Sequence, residues 1–154
     1  MSDQSGVILL DRREVAASAP IRRVTLIVPV YNEEASIGIF LDRVAEVVAR
    51  ITQPVAFDIL FVNDGSRDRT ERLILAEVAK RPDISLLNLS RNFGKEAALT
   101  AGLHHAAGDA VIPLDVDLQD PPEVIDEMIR RWLAGAKIVN ARRNRRDGDG
   151  WVKE

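Results

Sequence analysis

The chain contains no cysteine, which removes disulfides, thiolate metal ligands and cysteine nucleophiles together. That absence is compatible with a cytoplasmic setting. No apolar run approaches the roughly 18 to 20 residues needed to cross a bilayer, and GVILL near the N-terminus is too short for the apolar region of a signal peptide. There is no excess of positive charge either. Lys and Arg number 21 against 24 Asp and Glu, a net charge of −3, so the overall balance makes no case for a nucleic-acid partner. Internal repeats and low-complexity tracts are missing as well. What the 154 residues do have is a 46% hydrophobic content, enough for one globular domain with a sizeable core.

The apolar residues come in two alternating patterns. VTLIVPV (Val24–Val30), FDILFVN (Phe57–Asn63), ISLLNL (Ile84–Leu89) and AVIPLD (Ala110–Asp115) are continuous runs of strand length, as in a sheet buried on both faces. Between them lie helical patterns. Ile37, Phe40, Leu41, Val44, Val47, Val48 and Ile51 form a stripe at helical spacing. Asp68 and Glu71 suggest a capping box before Leu73, Ile74 and Val78. A third helix is predicted from Lys95 to about His105, closed by Gly108. Asp120-Pro-Pro-Glu123 reads as the start of a fourth, with Asp120 as its cap and Gly135 as its stop. KIVNA (Lys137–Ala141) is predicted as a short fifth strand. This alternation implies a mostly parallel, doubly wound α/β sheet. Residues 1–20 are expected to be a loose arm, 21–141 the folded domain, and 142–154 a basic loop.

In such a sheet, ligands bind beyond the carboxyl ends of the strands. Those ends carry the unusual residues here: PVYNEE, NDGSRD, SRNFGKE and DVDLQD. Asp115 and Asp117 offer hard oxygen ligands suited to Mg²⁺ or Mn²⁺, and Gln119 can add a neutral oxygen. Equally, the two aspartates can cap a turn and bind no metal. Asp64 can accept a hydrogen bond from a base NH, or simply belong to the turn Asn63-Asp64-Gly65-Ser66. Tyr31 can lie against a base or ribose, or be an amphipathic rim residue. Glu33 can accept from ribose or base, or sit in a first helical turn where the dipole favours it. Lys95, with the backbone amides after Gly94 at a helix start, can hold an anion or be a solvated lysine.

The stretches VTLIVPVYNEEASI, FDILFVNDGSRDRT, LSRNFGKEAALTAGL and GDAVIPLDVDLQDPPE, taken in order, resemble the successive motifs of family 2 glycosyltransferases with the GT-A fold. The resemblance runs from about Arg23 to Lys153. It is nearest to the transferases that act on polyprenyl phosphates, such as the bactoprenol glucosyltransferase and dolichol-phosphate mannose synthase types. The D-x-D pair alone is unspecific, whereas the motifs in register are specific. Val116 stands where alanine is common between the aspartates.

The resemblance implies an enzyme moving a sugar from a nucleotide-diphosphate donor to an undecaprenyl or dolichyl phosphate, with inversion and a divalent metal. It implies that Pro29, Tyr31, Glu33, Asp64, Lys95 and Asp115 line the nucleotide pocket. Asp115 and Asp117 would then be the catalytic aspartates, with Asp117 the principal metal ligand and Gln119 assisting. Arg142, Arg145 and Arg146 fall where the subgroup binds acceptor phosphate. A general base is dispensable, since a phosphate monoester with a second pKa of about 6 is largely dianionic near pH 7. His104 and His105 are therefore not assigned to catalysis. The resemblance further implies that the full-length protein continues past Glu154, through the rest of the catalytic domain and membrane-associated helices, and works at the cytoplasmic face of the cell membrane. The 154 residues alone are expected to be a soluble piece, and a homo-oligomer is compatible with it. A saccharide acceptor and a non-catalytic nucleotide-binding module are the alternative readings.

Overall fold

The computed structural model describes residues 20–117 and 123–140. Within them four parallel strands alternate with four helices: β1 (Arg22–Val30), α1 (Ile37–Arg50), β2 (Val55–Asn63), α2 (Thr70–Val78), β3 (Ile84–Asn88), α3 (Lys95–His105), β4 (Ala110–Pro113) and α4 (Glu123–Leu133). The sheet order is β3-β2-β1-β4. From β1 the chain steps outward through β2 to β3, then returns to the other side of β1 to form β4. That reversal is the topological switch point where open α/β sheets hold ligands.

Both faces of the sheet are apolar because successive side chains on a strand point opposite ways. On one face Val24, Leu26, Val28 and Val30 of β1 pack with Phe40 and Val44 of α1, Ile74 of α2 and Ile129 of α4. On the other, Ile27, Leu60 and Val62 meet Ala98 of α3. The continuous apolar runs thus mark strands covered on both sides, as predicted. Phe40 and Phe61 meet edge to face at 5.7 Å in the larger cluster, a geometry that adds to the burial of two large rings. Helix α3 lies close against the sheet at Gly102, where a Cβ would fall 2.5 Å from Ile27 Cγ2.

Three sequence expectations change. Residues 137–140 form no strand. They run past β4 across a cavity of about 370 Å³, and Ile138 is 82% exposed. A short apolar run does not by itself specify a strand, because strand preference depends on what the segment packs and pairs against. The capping box at Asp68 is only half formed. Asp68 Oδ1 accepts from the Thr70 N–H at 2.9 Å, but Glu71 turns away and accepts from Asn88 Nδ2 at 2.8 Å. β4 ends at Pro113 rather than Asp115, although the Leu114 N–H still donates to Ile27 O. The predicted arm, apart from Pro20, and the cap at Asp120 lie outside the described residues, as does Ala141.

Thr25 ties the sheet's interior to the turn before β4. Its buried hydroxyl donates to Asp58 Oδ2 at 2.9 Å and accepts from the Gly108 N–H at 3.0 Å. Thr25→Val keeps the shape and strands both partners, which should cost about 1–3 kcal/mol. The check is the urea midpoint, expected to fall with an unchanged slope. A variant as stable as the wild type would show that water satisfies both groups.

Candidate active site

The carboxyl ends of β1, β2 and β4 and the start of α3 enclose a cavity of about 330 Å³. Pro29, Tyr31, Glu33, Asp64, Lys95, Asp115 and Asp117 all line it, so seven residues singled out in the sequence are neighbours in space. Gln119, Arg142, Arg145 and Arg146 lie outside the described residues. Asn92 and Val116 also line the cavity and were given no role there. Asn92 is marked only by its place in the third strand-end motif.

The loops leaving β1 and β2 are laced to each other. The Asn32, Glu33 and Glu34 N–H groups donate to Ser66 Oγ, Thr70 Oγ1 and Asp68 Oδ2, at 3.0, 2.8 and 3.2 Å. In return the Arg67 N–H donates to Asn32 Oδ1 at 2.8 Å, and the Arg69 N–H and Nε donate to Glu34 Oε2 at 2.9 and 3.1 Å. Asn32 accommodates this with φ 52°, a region that asparagine visits more readily than most residues. The lacing sets Tyr31, 43% exposed, at the cavity's rim. It also sets Glu33, whose Oε2 accepts from Ser36 Oγ at 2.8 Å. The hydrogen bonds from Arg69, with its positive charge, hold the Glu34 carboxyl below its ordinary range. For Asp68, burial pushes the pKa up, but hydrogen bonds from the Thr70 hydroxyl and backbone and from the Glu34 N–H outweigh it and leave the pKa lowered. Sequence reasoning missed this role of Ser66, Asp68 and Thr70. Its only local trace was the density of short polar side chains after β2.

Asp64 is 3% exposed at the cavity floor. Its Oδ1 accepts from the Phe93 N–H at 2.7 Å and its Oδ2 from the Gly94 N–H at 2.9 Å. Lys95 begins α3 directly after this pair and reaches Asp115 Oδ1 at 2.5 Å. Both partners are more than half exposed, at 65% and 56%, so water screens the pair and it is readily exchanged.

Asp115 and Asp117 flank Val116, whose side chain is buried in the larger core cluster. Residues 116 and 117 form a turn beyond the end of β4, and both carboxylates line the cavity. Among the described residues no group of three or more His, Asp or Glu is arranged to hold an ion. Two carboxylates at an open rim suit Mg²⁺ or Mn²⁺, which keep several positions for water and substrate phosphates. The Lys95 ammonium already approaches Asp115 from the cavity side, so this carboxylate is placed to accept a cation. His104 and His105 are exposed at the far end of α3, about 15 Å along the helix from Lys95 at 1.5 Å per residue.

The cavity thus lies at the switch point of a parallel sheet, rimmed by two aspartates and a helix-initial lysine. The family profile described as Glycosyl transferase family 2 matches residues 25–154, and the chain belongs to that family. It is 50% identical over 131 residues to the bactoprenol glucosyl transferase of Shigella phage SfV, covering 85% of this chain and 42% of the relative. It is 40% identical over 134 residues to the undecaprenyl-phosphate 4-deoxy-4-formamido-L-arabinose transferase of Pseudomonas paraeruginosa, covering 86% and 39%. In structure it resembles the mannosyltransferase PcManGT of Pyrobaculum calidifontis in complex with GDP-Man and Mn²⁺. There the TM-score is 0.60 at 27% identity, over 80% of this chain and 37% of that one. The fold is thus of the GT-A glycosyltransferase type, and the chain spans about two-fifths of the length of the curated relatives it matches.

The lacing is testable at Asp68. Asp68→Ala should cost about 1 kcal/mol at pH 7, in line with the loss of a helix-start acceptor. Because the folded pKa lies below 3.8, the carboxylate's contribution is complete above 3.8 and fades as pH falls through the lower folded value. Urea midpoints at pH 7 and pH 5 should differ between the two proteins by the same amount. A gap already closing between those pH values would assign the effect to another group.

Proposed function

We propose that the chain carries the donor site of an inverting glycosyltransferase that moves a sugar from a nucleoside diphosphate to a polyprenyl phosphate. The observation that carries this reading is the meeting, in one cavity, of seven residues drawn from the ends of three strands and the start of α3. The relatives' names, bactoprenol glucosyl transferase and undecaprenyl-phosphate transferase, support the acceptor class. The GDP-Man and Mn²⁺ bound to PcManGT support the donor class and a divalent ion.

On this reading Pro29 and Tyr31 form one wall of the nucleotide pocket, Tyr31 offering its ring to base or ribose. Glu33 accepts from a ribose hydroxyl, Asp64 lies beneath, and Lys95 faces the diphosphate across from Asp115. Asp117 is the principal ligand of Mg²⁺ or Mn²⁺, with Asp115 beside it and Gln119 assisting. When bound, the ion supplies Lewis-acid stabilisation of the charge that develops on the diphosphate leaving group. In the transfer, an acceptor phosphate oxygen attacks the anomeric carbon as the bond from that carbon to the diphosphate breaks. The acceptor is already largely dianionic near pH 7, so this chain needs no base to deprotonate it. Lys95 strengthens its contact as negative charge grows on the leaving group. Arg142, Arg145 and Arg146 present planar donors for the acceptor phosphate. A lipid acceptor is in keeping with work by the full-length protein at a membrane, on this reading its cytoplasmic face. Among the described residues no helix is long and apolar enough to cross one.

A thermal-shift screen of UDP-, GDP- and CDP-linked sugars, each with and without Mn²⁺, tests the donor class. At least one should raise the melting temperature, and more so with the ion. Asp117→Ala should abolish the ion-dependent part of binding, a loss of tenfold or more if about 1.4 kcal/mol or more rests on the ion. Equal Mn²⁺-dependent affinity in wild type and variant would sink the metal assignment.

A further inference from the structure

Asn63 ends β2 on the face where Ile59 and Phe61 enter the larger apolar cluster, and it is 2% exposed. A buried amide left unpaired is costly, and this one has two partners. Its Nδ2 donates to Oδ1 of Asn88, its neighbour in β3, at 2.9 Å, and its Oδ1 accepts from the Ser66 N–H at 3.1 Å. Asn88 Nδ2 in turn donates to Glu71 Oε1, in the first turn of α2, at 2.8 Å. At the other end Ser66 Oγ accepts from the Asn32 N–H at 3.0 Å, and Asn32 follows Tyr31 with φ 52°. Four hydrogen bonds thus run from α2 across the ends of β3 and β2 to the loop after β1.

The relay has a single direction. An ionised carboxylate only accepts and a backbone N–H only donates, whereas an amide side chain does both. Glu71 therefore requires the NH₂ group of Asn88, which leaves the Asn88 oxygen for Asn63 Nδ2 and the Asn63 oxygen for Ser66. Read from Ser66, the same orientations follow. Reversing either amide would set donor against donor or oxygen against oxygen. We propose that Asn63 is a positioning residue for the donor site: oriented by Asn88 and Glu71, it holds the Ser66 turn and, through Asn32, keeps Tyr31 at the cavity wall. This rests on the donor-site reading above. Asn32 has a backbone conformation that costs energy for a residue other than glycine, so it persists only where its surroundings hold it. The Ser66 hydroxyl supplies part of that hold, and Asn63 fixes where Ser66 stands.

Tyr31 is the sole tyrosine, so fluorotyrosine labelling gives one ¹⁹F resonance that reports on the cavity wall. Asn63→Leu keeps the bulk, adds no charge and removes both amide contacts. It should shift or broaden the Tyr31 line. It should also weaken whichever of UDP and GDP the wild type binds with Mg²⁺ about fivefold, as for one lost hydrogen bond. Asn88→Leu removes only what orients Asn63 and should give the same changes to a smaller degree, which keeps the test open if Asn63→Leu does not fold. The double variant should bind no more weakly than Asn63→Leu alone, because Asn88 acts through Asn63. Glu71→Lys puts a donor at the accepting end and should disturb the Tyr31 line. Adding Asn63→Asp supplies an acceptor for both the Ser66 N–H and a reversed Asn88 amide, and should restore the line. A wild-type Tyr31 line and affinity in Asn63→Leu, losses that multiply in the double variant, or a Glu71→Lys line that Asn63→Asp leaves disturbed would each overturn the inference. A wild-type chain that binds neither nucleotide would sink the donor-site reading instead, and the positioning role with it, whatever the Tyr31 line shows.

Discussion

β1 runs in parallel beside β2 through nine paired positions and beside β4 through four, and everything else in the structure hangs on that central placement. Parallel pairing forces all strands to end at the same side of the sheet, and the chain reversal around β1 opens a crevice there. Burial on both faces then makes the arrangement rigid. The alternate residues of β1 are committed to two separate apolar clusters, and a slip of one residue would exchange them. The site is consequently built on the ends of fixed elements, with loops that need only bridge short gaps.

Concentrating acidic residues at such a rim has an electrostatic cost, because carboxylates near one another repel and lose hydration. The structure distributes it among different partners. Asp64, the most buried, takes two backbone N–H groups; Glu33 takes a serine hydroxyl; Asp115 takes the Lys95 ammonium. These partners differ in how easily they are given up. Backbone amides are fixed by the fold, whereas an exposed ammonium exchanges freely with solvent or ligand. The most exchangeable positive charge thus stands beside the carboxylate facing the cavity. The most permanent contacts lie beneath it.

On the function proposed above, these residues carry the donor side of the enzyme. The matched relatives are more than twice as long, and this chain spans about two-fifths of each. A sheet-end cavity of about 330 Å³ that exposes a tyrosine, a lysine and paired aspartates suits a nucleoside diphosphate. Recognition of a lipid phosphate calls on cationic forks and apolar surface, for which the arginines at 142, 145 and 146 are the candidates in this sequence.

The strands and helices were readable from the sequence because burial on both faces writes itself as unbroken apolar runs, and one-sided burial as a helical stripe from Ile37 to Val47. The convergence of Tyr31, Glu33, Asp64, Lys95 and Asp115 was readable for the same reason. Once parallel strands are granted, their ends must meet. The partners of those side chains were not readable. That Asp64 would hold Phe93 and Gly94, that Glu34 would answer Arg69, and that Glu71 would leave its helix for Asn88 depend on the exact register and spacing of loops 17 to 35 residues apart. Residues 137–140 make the same point from the other side: their composition suits a strand, but they form none. Periodicity is a local property that each segment carries by itself, so the sequence determined the elements and the rim. A hydrogen bond needs two groups brought within about 3 Å, and that only the tertiary structure decides.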